Sequence, residues 1–258
     1  MGVKGLFQFL KQYEKQVNPI TYCRGKNVAI DTFWFLHQSK GDVQKIEKLL
    51  LPIINAAKQV YCVFDGRPPQ EKREQLQQQA QKRREILDTI ERIEHFMKNP
   101  FQRLSNSDRY HIQNYVEQLK RQAWAPTPDY VHSIKKWLQL QGAIVIQAEE
   151  EADDALVNLE LYGTVDLIIT NDSDLLVLGS SHLMRLYNAN EAGLYDTKYI
   201  LKNLRFTELM WRDFMYLSKH MDTQDVQLAY SLVSVYKDID YALQKYNTIY
   251  RDKLILSL

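Results

Sequence analysis

Cysteine is almost missing from this chain: Cys23 and Cys62 are the only two in 258 residues. Two thiols cannot make a disulfide framework or, by themselves, a zinc site. The simplest reading is a reducing, intracellular compartment, nuclear or cytoplasmic. Cys62 lies within a strand-like run, where a thiol serves as a small buried hydrophobe. Long apolar runs are missing too. The longest, residues 49–57, is far short of the roughly 20 residues of a membrane-spanning helix, so no membrane partner is expected. The opening MGVKGLFQFLKQY has no secretory apolar core with a cleavage site, and Leu6 stands where a myristoylation signal needs Ser or Thr. Nor does one sign of charge dominate: 33 Lys and Arg face 32 Asp and Glu. A balanced total neither supports nor excludes nucleic acid, because the placement of charge decides that. There are no internal repeats and no low-complexity linker, although residues 70–125 are rich in glutamine.

What is present is an ordinary globular composition, 45% hydrophobic and 25% charged, with ample length for a core. Residues 147–180, QAEEEADDALVNLELYGTVDLIITNDSDLLVLGS, organise the rest. An acidic run leads into a short amphipathic helix that Gly163 ends. The apolar strand 165–170 follows and stops at Asp172-Ser173-Asp174. Carboxylates gathered at the ends of buried elements repel one another and resist desolvation, and a cation among them relieves both costs.

Three further strand-like runs precede this one: 27–31 (NVAID), 60–65 (VYCVFD) and 143–147 (AIVIQ). Helical periodicity marks 6–13, 32–37, 43–59 and 130–141, the last closed by Gly142. Residues 70–124 predict two or three long helices interrupted near Asn99-Pro100. After residue 178 come a weak hairpin (183–187 with 193–195) and helices over 207–219, 224–236 and 239–246. Strands that alternate with helices imply an α/β fold, a mostly parallel central sheet with helices on both faces. Open parallel sheets bind ligands at the carboxyl ends of their strands. Asp31, Asp65, Glu151, Asp153, Asp172 and Asp174 would then converge on one edge.

Hard oxygen donors without His or Cys suit Mg²⁺ or Mn²⁺, and six carboxylates could hold two ions about 4 Å apart. Such a pair activates a water and stabilises a leaving oxygen, which is the chemistry of phosphodiester hydrolysis. Taken one at a time these residues have plainer readings. An isolated D-x-D is usually a helix cap, Asp65-Gly66 usually a turn, and Glu149, Glu150 and Asp154 suit a helix N-terminus. The joint pattern is what points to a site.

MGVKGL at 1–6, VAIDTFWFLH at 28–37, VFDGRPPQEKRE at 63–74, EADDALVNL at 151–159 and IITNDSDLLVLGS at 168–180 resemble the flap endonuclease/XPG-type 5′ nuclease family. The wording of the second and last is closest to its exonuclease 1 branch. The resemblance implies a PIN-like 5′ nuclease core over residues 1–200: an N-terminal block (1–69), a helical arch (70–128) and an intermediate block (129–200). A small helical region, 201–258, would be a reduced duplex-binding element. It implies a Mg²⁺-dependent endo- or exonuclease in DNA replication, repair or recombination, acting on a DNA flap, nick or 5′ end. RNA cleavage on the same fold, or an inactive nucleic-acid-binding scaffold, are the alternatives.

Carried over by motif, the six acids Asp31, Asp65, Glu151, Asp153, Asp172 and Asp174 hold two metal ions, with Asp154 as an outer acid. Gly2 would help place substrate, His37 would stack on the nucleotide beside the scissile phosphate, and Lys72 would reach that phosphate. A second basic residue of the arch falls on Gln79, so Lys82 or Arg83, a turn further on, would substitute. A solvated, salt-bridged helix face is the plainer account of these basic residues. The stretch between Asp31 and Asp65 is shorter than in the family, and the C-terminal part lacks a Gly-rich helix-two-turn-helix. Asp222 stands one residue out of register with a seventh family acid. DKLILSL at the end carries no sliding-clamp peptide, and a monomer is expected.

Overall fold

The computed structural model describes residues 2–99, 104–221 and 225–236. Seven strands form one sheet: β1 (Lys15–Val17), β2 (Asn27–Asp31), β3 (Gln59–Phe64), β4 (Ile144–Gln147), β5 (Leu167–Ile169), β6 (His182–Leu186) and β7 (Ala192–Asp196). Their order is β1-β7-β6-β5-β2-β3-β4. β4, β3, β2, β5 and β6 run parallel, while β7 and β1 close one side antiparallel. The mostly parallel sheet expected from the sequence is present. It is wider than the four strands read there, because the hairpin β6–β7 is a full member and β1 adds an edge.

Twelve α-helices surround the sheet among the described residues. They are α1 (Leu6–Leu10), α2 (Pro19–Cys23), α3 (Thr32–Ser39), α4 (Val43–Ala56), α5 (Arg73–Lys98) and α6 (Asn106–Ala123), followed by α7 (Pro128–Leu140), α8 (Ala152–Leu161), α9 (Asp174–Val177), α10 (Thr197–Leu204), α11 (Glu208–His220) and α12 (Val226–Tyr236). α1, α2, α9 and α10 are short, and α2, α9 and α10 were not anticipated. α4 ends three residues before the periodicity suggested, because Gln59 already pairs with Asn27 across the sheet. The predicted helix over 239–246 and the final DKLILSL lie outside the described residues.

The apolar runs alternate between two cores, as a strand period of two requires. Ala29, Val63 and Ile168 face a cluster that includes Leu6, Leu156, Leu175, Tyr195 and Phe214. Val28, Ile30, Cys62, Phe64, Leu167 and Ile169 face the other, with Phe35, Leu50, Ile53 and Leu138. Strands buried on both faces read as continuous apolar stretches, which is why β2, β3 and β5 were visible in the sequence. The first cluster joins α1 to α11 and α12, so the C-terminal helices pack on the same core as the N-terminus.

α5 and α6 stand apart as an antiparallel pair. Their own small core is Ile90, Val116 and Leu119, and a capping box at Ser105–Asp108 starts the second helix. Trp124, at the end of α6, ties the pair back to α3. Its ring lies edge-on 5.9 Å from His37 and 5.8 Å from Tyr130, and Gly41 leaves room for it.

Gly66 is the tightest joint. The chain leaving β3 lies flat against residues 148–150, with the Arg67 amide donating to the Glu149 carbonyl at 3.0 Å. A Cβ on Gly66 would run into the Ala148 and Glu149 carbonyls, which are backbone and cannot rotate away. Gly66→Ala is therefore expected to destabilise the protein by roughly 1–3 kcal/mol, in the range of overpacking and strain. A thermal melt reads this directly; an unchanged Tm contradicts the close approach.

Candidate active site

β2 is the central strand at which the chain reverses its direction of travel across the sheet, going first to β3 and β4 and then to β5 on the other side. The crevice at that switch lies outside the carboxyl ends of the strands. It is an open cleft of about 620 Å³, lined by Asp31, Asp65, Glu151, Asp153, Asp172 and Asp174 together with Lys72, Lys219, His37 and the foot of α5. All six acids expected from the sequence therefore meet in one place.

Each acid is held by the local chain. Asp31 ends β2 and caps α3: its Oδ1 accepts from the Trp34 amide at 3.4 Å. Its Oδ2 accepts from Thr170 Oγ1 at 2.7 Å. That hydroxyl also accepts from the Asp172 amide at 3.0 Å, linking the ends of β2 and β5. Asp172 Oδ1 in turn accepts from the Asp174 amide at 3.0 Å. Asp65 reaches across to α8, where its Oδ1 accepts from the Ala152 amide at 2.8 Å. Glu151, the N-cap residue of α8, makes no cap bond of its own and forms an ion pair with Lys72 instead.

Crowding shows in the electrostatics. Asp31 is 7% exposed, and burial pushes its carboxyl up to about 6, against its hydrogen bonds from Thr170 and Trp34 and with the charges of Asp65 and Asp172. Asp153 is pushed up to about 7, by burial first and then by Asp31, Asp172, Asp174 and Asp65. Asp65 and Asp174 are also raised, mainly by burial. Asp174 Oδ1 is buried with no hydrogen-bond partner, while Oδ2 lies 3.4 Å from Lys219 Nζ. Shifts of this kind concentrate at functional sites.

The sign of the pH dependence follows. For Asp31 and Asp153 the folded values, about 6 and about 7, lie above the usual value of about 3.9 for an unfolded chain. The folded state therefore binds these protons more tightly. Their contribution is most favourable below about pH 4 and is lost as pH rises through 6 to 7. With chelator present, Tm is expected to fall between pH 5.5 and 8 in the wild type and to fall less in Asp153→Asn. Parallel slopes in the two proteins would contradict the assignment.

Of the other candidates, Gly2 is brought to the site: a Cβ there would stand 2.7 Å from Asp172 Oδ1 and would overlap the Ser173 hydroxyl. His37 lines the cleft, wedged between Phe33 and Trp124, and burial lowers its pKa despite Asp65. Gln79 lines the cleft, whereas Lys82 and Arg83 lie exposed on α5 beyond its lining. Asp154 is exposed on α8 and is not part of the cleft lining. Asp222 lies outside the described residues. Thr170 and Lys219 were not singled out from the sequence. Thr170 sat within the quoted stretch IITNDSDLLVLGS and Lys219 at the end of the helix predicted over 207–219, and they read as a strand end and a helix terminus. Among the described residues no three acids are drawn into a preformed cage: two of the six are engaged by lysines.

Residues 142–221 match the family model of the XPG I-region. Across 97% of its length the chain is 25% identical to flap endonuclease 1 of Entamoeba histolytica, spanning 72% of that protein. Across 71% of its length it is 28% identical to exonuclease 1 of Xenopus laevis, spanning 25% of that protein. In structure it resembles the catalytic core of Rad2 in complex with a DNA substrate, with a TM-score of 0.68 at 18% identity over 99% of this chain and 75% of that one. The chain is thus similar to the XPG-type 5′ nucleases, and the I-region match falls on residues 142–221. Along the chain, β2 and β3 come first, then the paired helices α5 and α6, then β4 and β5. The matched I-region contains β5, Asp172 and Asp174, and also α11 with Lys219. No helix among the described residues is long and apolar enough to cross a membrane.

Proposed function

We propose that this chain is a divalent-metal-dependent, structure-specific 5′ nuclease that hydrolyses phosphodiester bonds of DNA at a flap, nick or 5′ end. The observation that carries this reading is the meeting of six carboxylates in one cleft at the strand ends, beside the foot of α5, with two lysines in its lining. The donor set fits Mg²⁺ or Mn²⁺: it is all oxygen, it contains a buried Asp174 oxygen without a partner, and burial and neighbouring carboxylates hold Asp31, Asp65, Asp153 and Asp174 at raised pKa. Asp31, Asp65, Glu151, Asp153, Asp172 and Asp174 would hold two ions. When bound, the ions supply an activated water and charge stabilisation for the leaving oxygen.

The chain's own residues do the rest. Lys72 stays charged, because its pairing with Glu151 and the nearby Asp153 and Asp174 outweigh burial and raise its pKa. It can give up Glu151 to a phosphate. Phe33, Trp34 and His37 form an aromatic wall on α3 beside the acids, suited to stacking on a base released from a duplex. The 26-residue α5, about 39 Å long, rises from the cleft floor and would flank the strand leaving it. Its foot is neutral at Gln75, Leu76 and Gln79, so the grip there is polar and not cationic.

The test compares a 5′-flap DNA, a matched RNA flap and a nicked duplex, each with and without Mg²⁺. Mg²⁺-dependent cleavage of the DNA set near the junction is expected. Cleavage of the RNA flap alone would move the substrate class, and no cleavage with either ion would overturn the proposal.

A further inference from the structure

We infer that Lys219, on the last turn of α11, is a second substrate-positioning cation, latched in the free protein onto Asp174 and released to a substrate phosphate when that carboxylate takes a metal ion. The inference rests on the two-metal reading above and adds a residue from the C-terminal helices to the site.

The plain account of a lysine in a last helical turn is that it complements the helix dipole. Lys219 does more than that account needs. Its neighbours Leu217 and Ser218 are buried, so α11 presents this edge inward, against α9. The half-buried side chain runs into the acid cleft and stops 3.4 Å from Asp174 Oδ2. That distance is a loose contact for an ion pair, and an ammonium has three donors, of which this contact uses one. Beyond Asp174 lies the open cleft. The other cleft lysine, Lys72, makes the same kind of pair with Glu151 from the opposite side. Each lysine thus engages a carboxylate assigned to metal. A metal ion that takes the carboxylate expels the ammonium, and the incoming anion in this cleft is a phosphodiester. Metal and nucleic acid then bind with positive coupling, since each removes the other's competitor.

Three proteins are compared: wild type, Lys219→Met and Lys219→Arg, each checked by circular dichroism and thermal melt. Mn²⁺ binding without DNA is measured by calorimetry. Binding of a 5′-flap DNA in Ca²⁺ is measured as salt is varied. Removing the competing charge should tighten Mn²⁺ binding about three- to tenfold in Lys219→Met. Losing one phosphate contact should lower the slope of log K against log salt by about 0.7–0.9. Lys219→Arg should stay near wild type in both. Unchanged or weaker Mn²⁺ binding in Lys219→Met overturns the latch, and an unchanged salt slope overturns the phosphate contact. If Lys219→Met does not fold, Lys219→Gln takes its place in both measurements. Wild-type protein that binds no Mn²⁺ would fail the two-metal reading itself, an outcome distinct from either.

Discussion

Asp153→Asn will slow cleavage of a 5′-flap DNA by at least about a thousandfold and, in the same preparation, raise the Tm of the chelator-treated protein at pH 8. The first effect follows from removing a charged oxygen at the centre of the cluster, where a thousandfold corresponds to about 4 kcal/mol of barrier. The second follows from repulsion. Burial and four neighbouring carboxylates push Asp153 up to about 7, so at pH 8 its charge is held against the preference of the fold. Asparagine keeps the shape and removes that charge. A gain on the order of 1–2 kcal/mol corresponds to a rise of several degrees for a protein of this size. A purely structural acid would behave in the opposite way, losing stability with little change in turnover. Lost activity with a lower Tm would indicate a damaged fold and count against the assignment.

Lys72→Met will slow cleavage by about a hundredfold, the usual scale for removing one preorganised cationic contact to a reacting group, without weakening Mn²⁺ binding. The ammonium faces the acids and pairs with Glu151, so its loss frees a carboxylate and cannot remove a metal ligand. Single-turnover rates and calorimetry together separate the roles. Lys72→Arg should recover part of the rate, because the charge returns on a different geometry. Weakened Mn²⁺ binding in Lys72→Met would contradict the division between lysines that handle phosphate and acids that handle metal.

The site was largely legible in the sequence because its acids end apolar runs. Asp31 and Asp172 follow strands buried on both faces, and such strands announce themselves without alternation. What escaped was carried by contacts between distant segments. Asp65 was expected at the site, but not that it takes the capping bond that Glu151 leaves open, across 87 positions. Thr170 joins two strand ends through one hydroxyl, a role that a threonine in a strand does not advertise. Lys219 looks like any basic residue near a helix C-terminus until α11 is packed beside α9. β1 is three residues, Lys15–Val17, with two exposed side chains, and only its pairing with β7 makes it a strand. Lys82 and Arg83 show the converse. Their charge and spacing suited the arch, but the helix carries them past the cleft and leaves Gln79 at its edge.

The most direct test is single-turnover cleavage of a 5′-labelled flap DNA as Mg²⁺ is titrated from zero. If the six acids hold two ions for phosphodiester hydrolysis, there is no cleavage in chelator, and at low concentration the rate rises with more than first-order dependence on Mg²⁺. Cleavage in chelator, or none at any concentration of Mg²⁺ or Mn²⁺, would contradict the account.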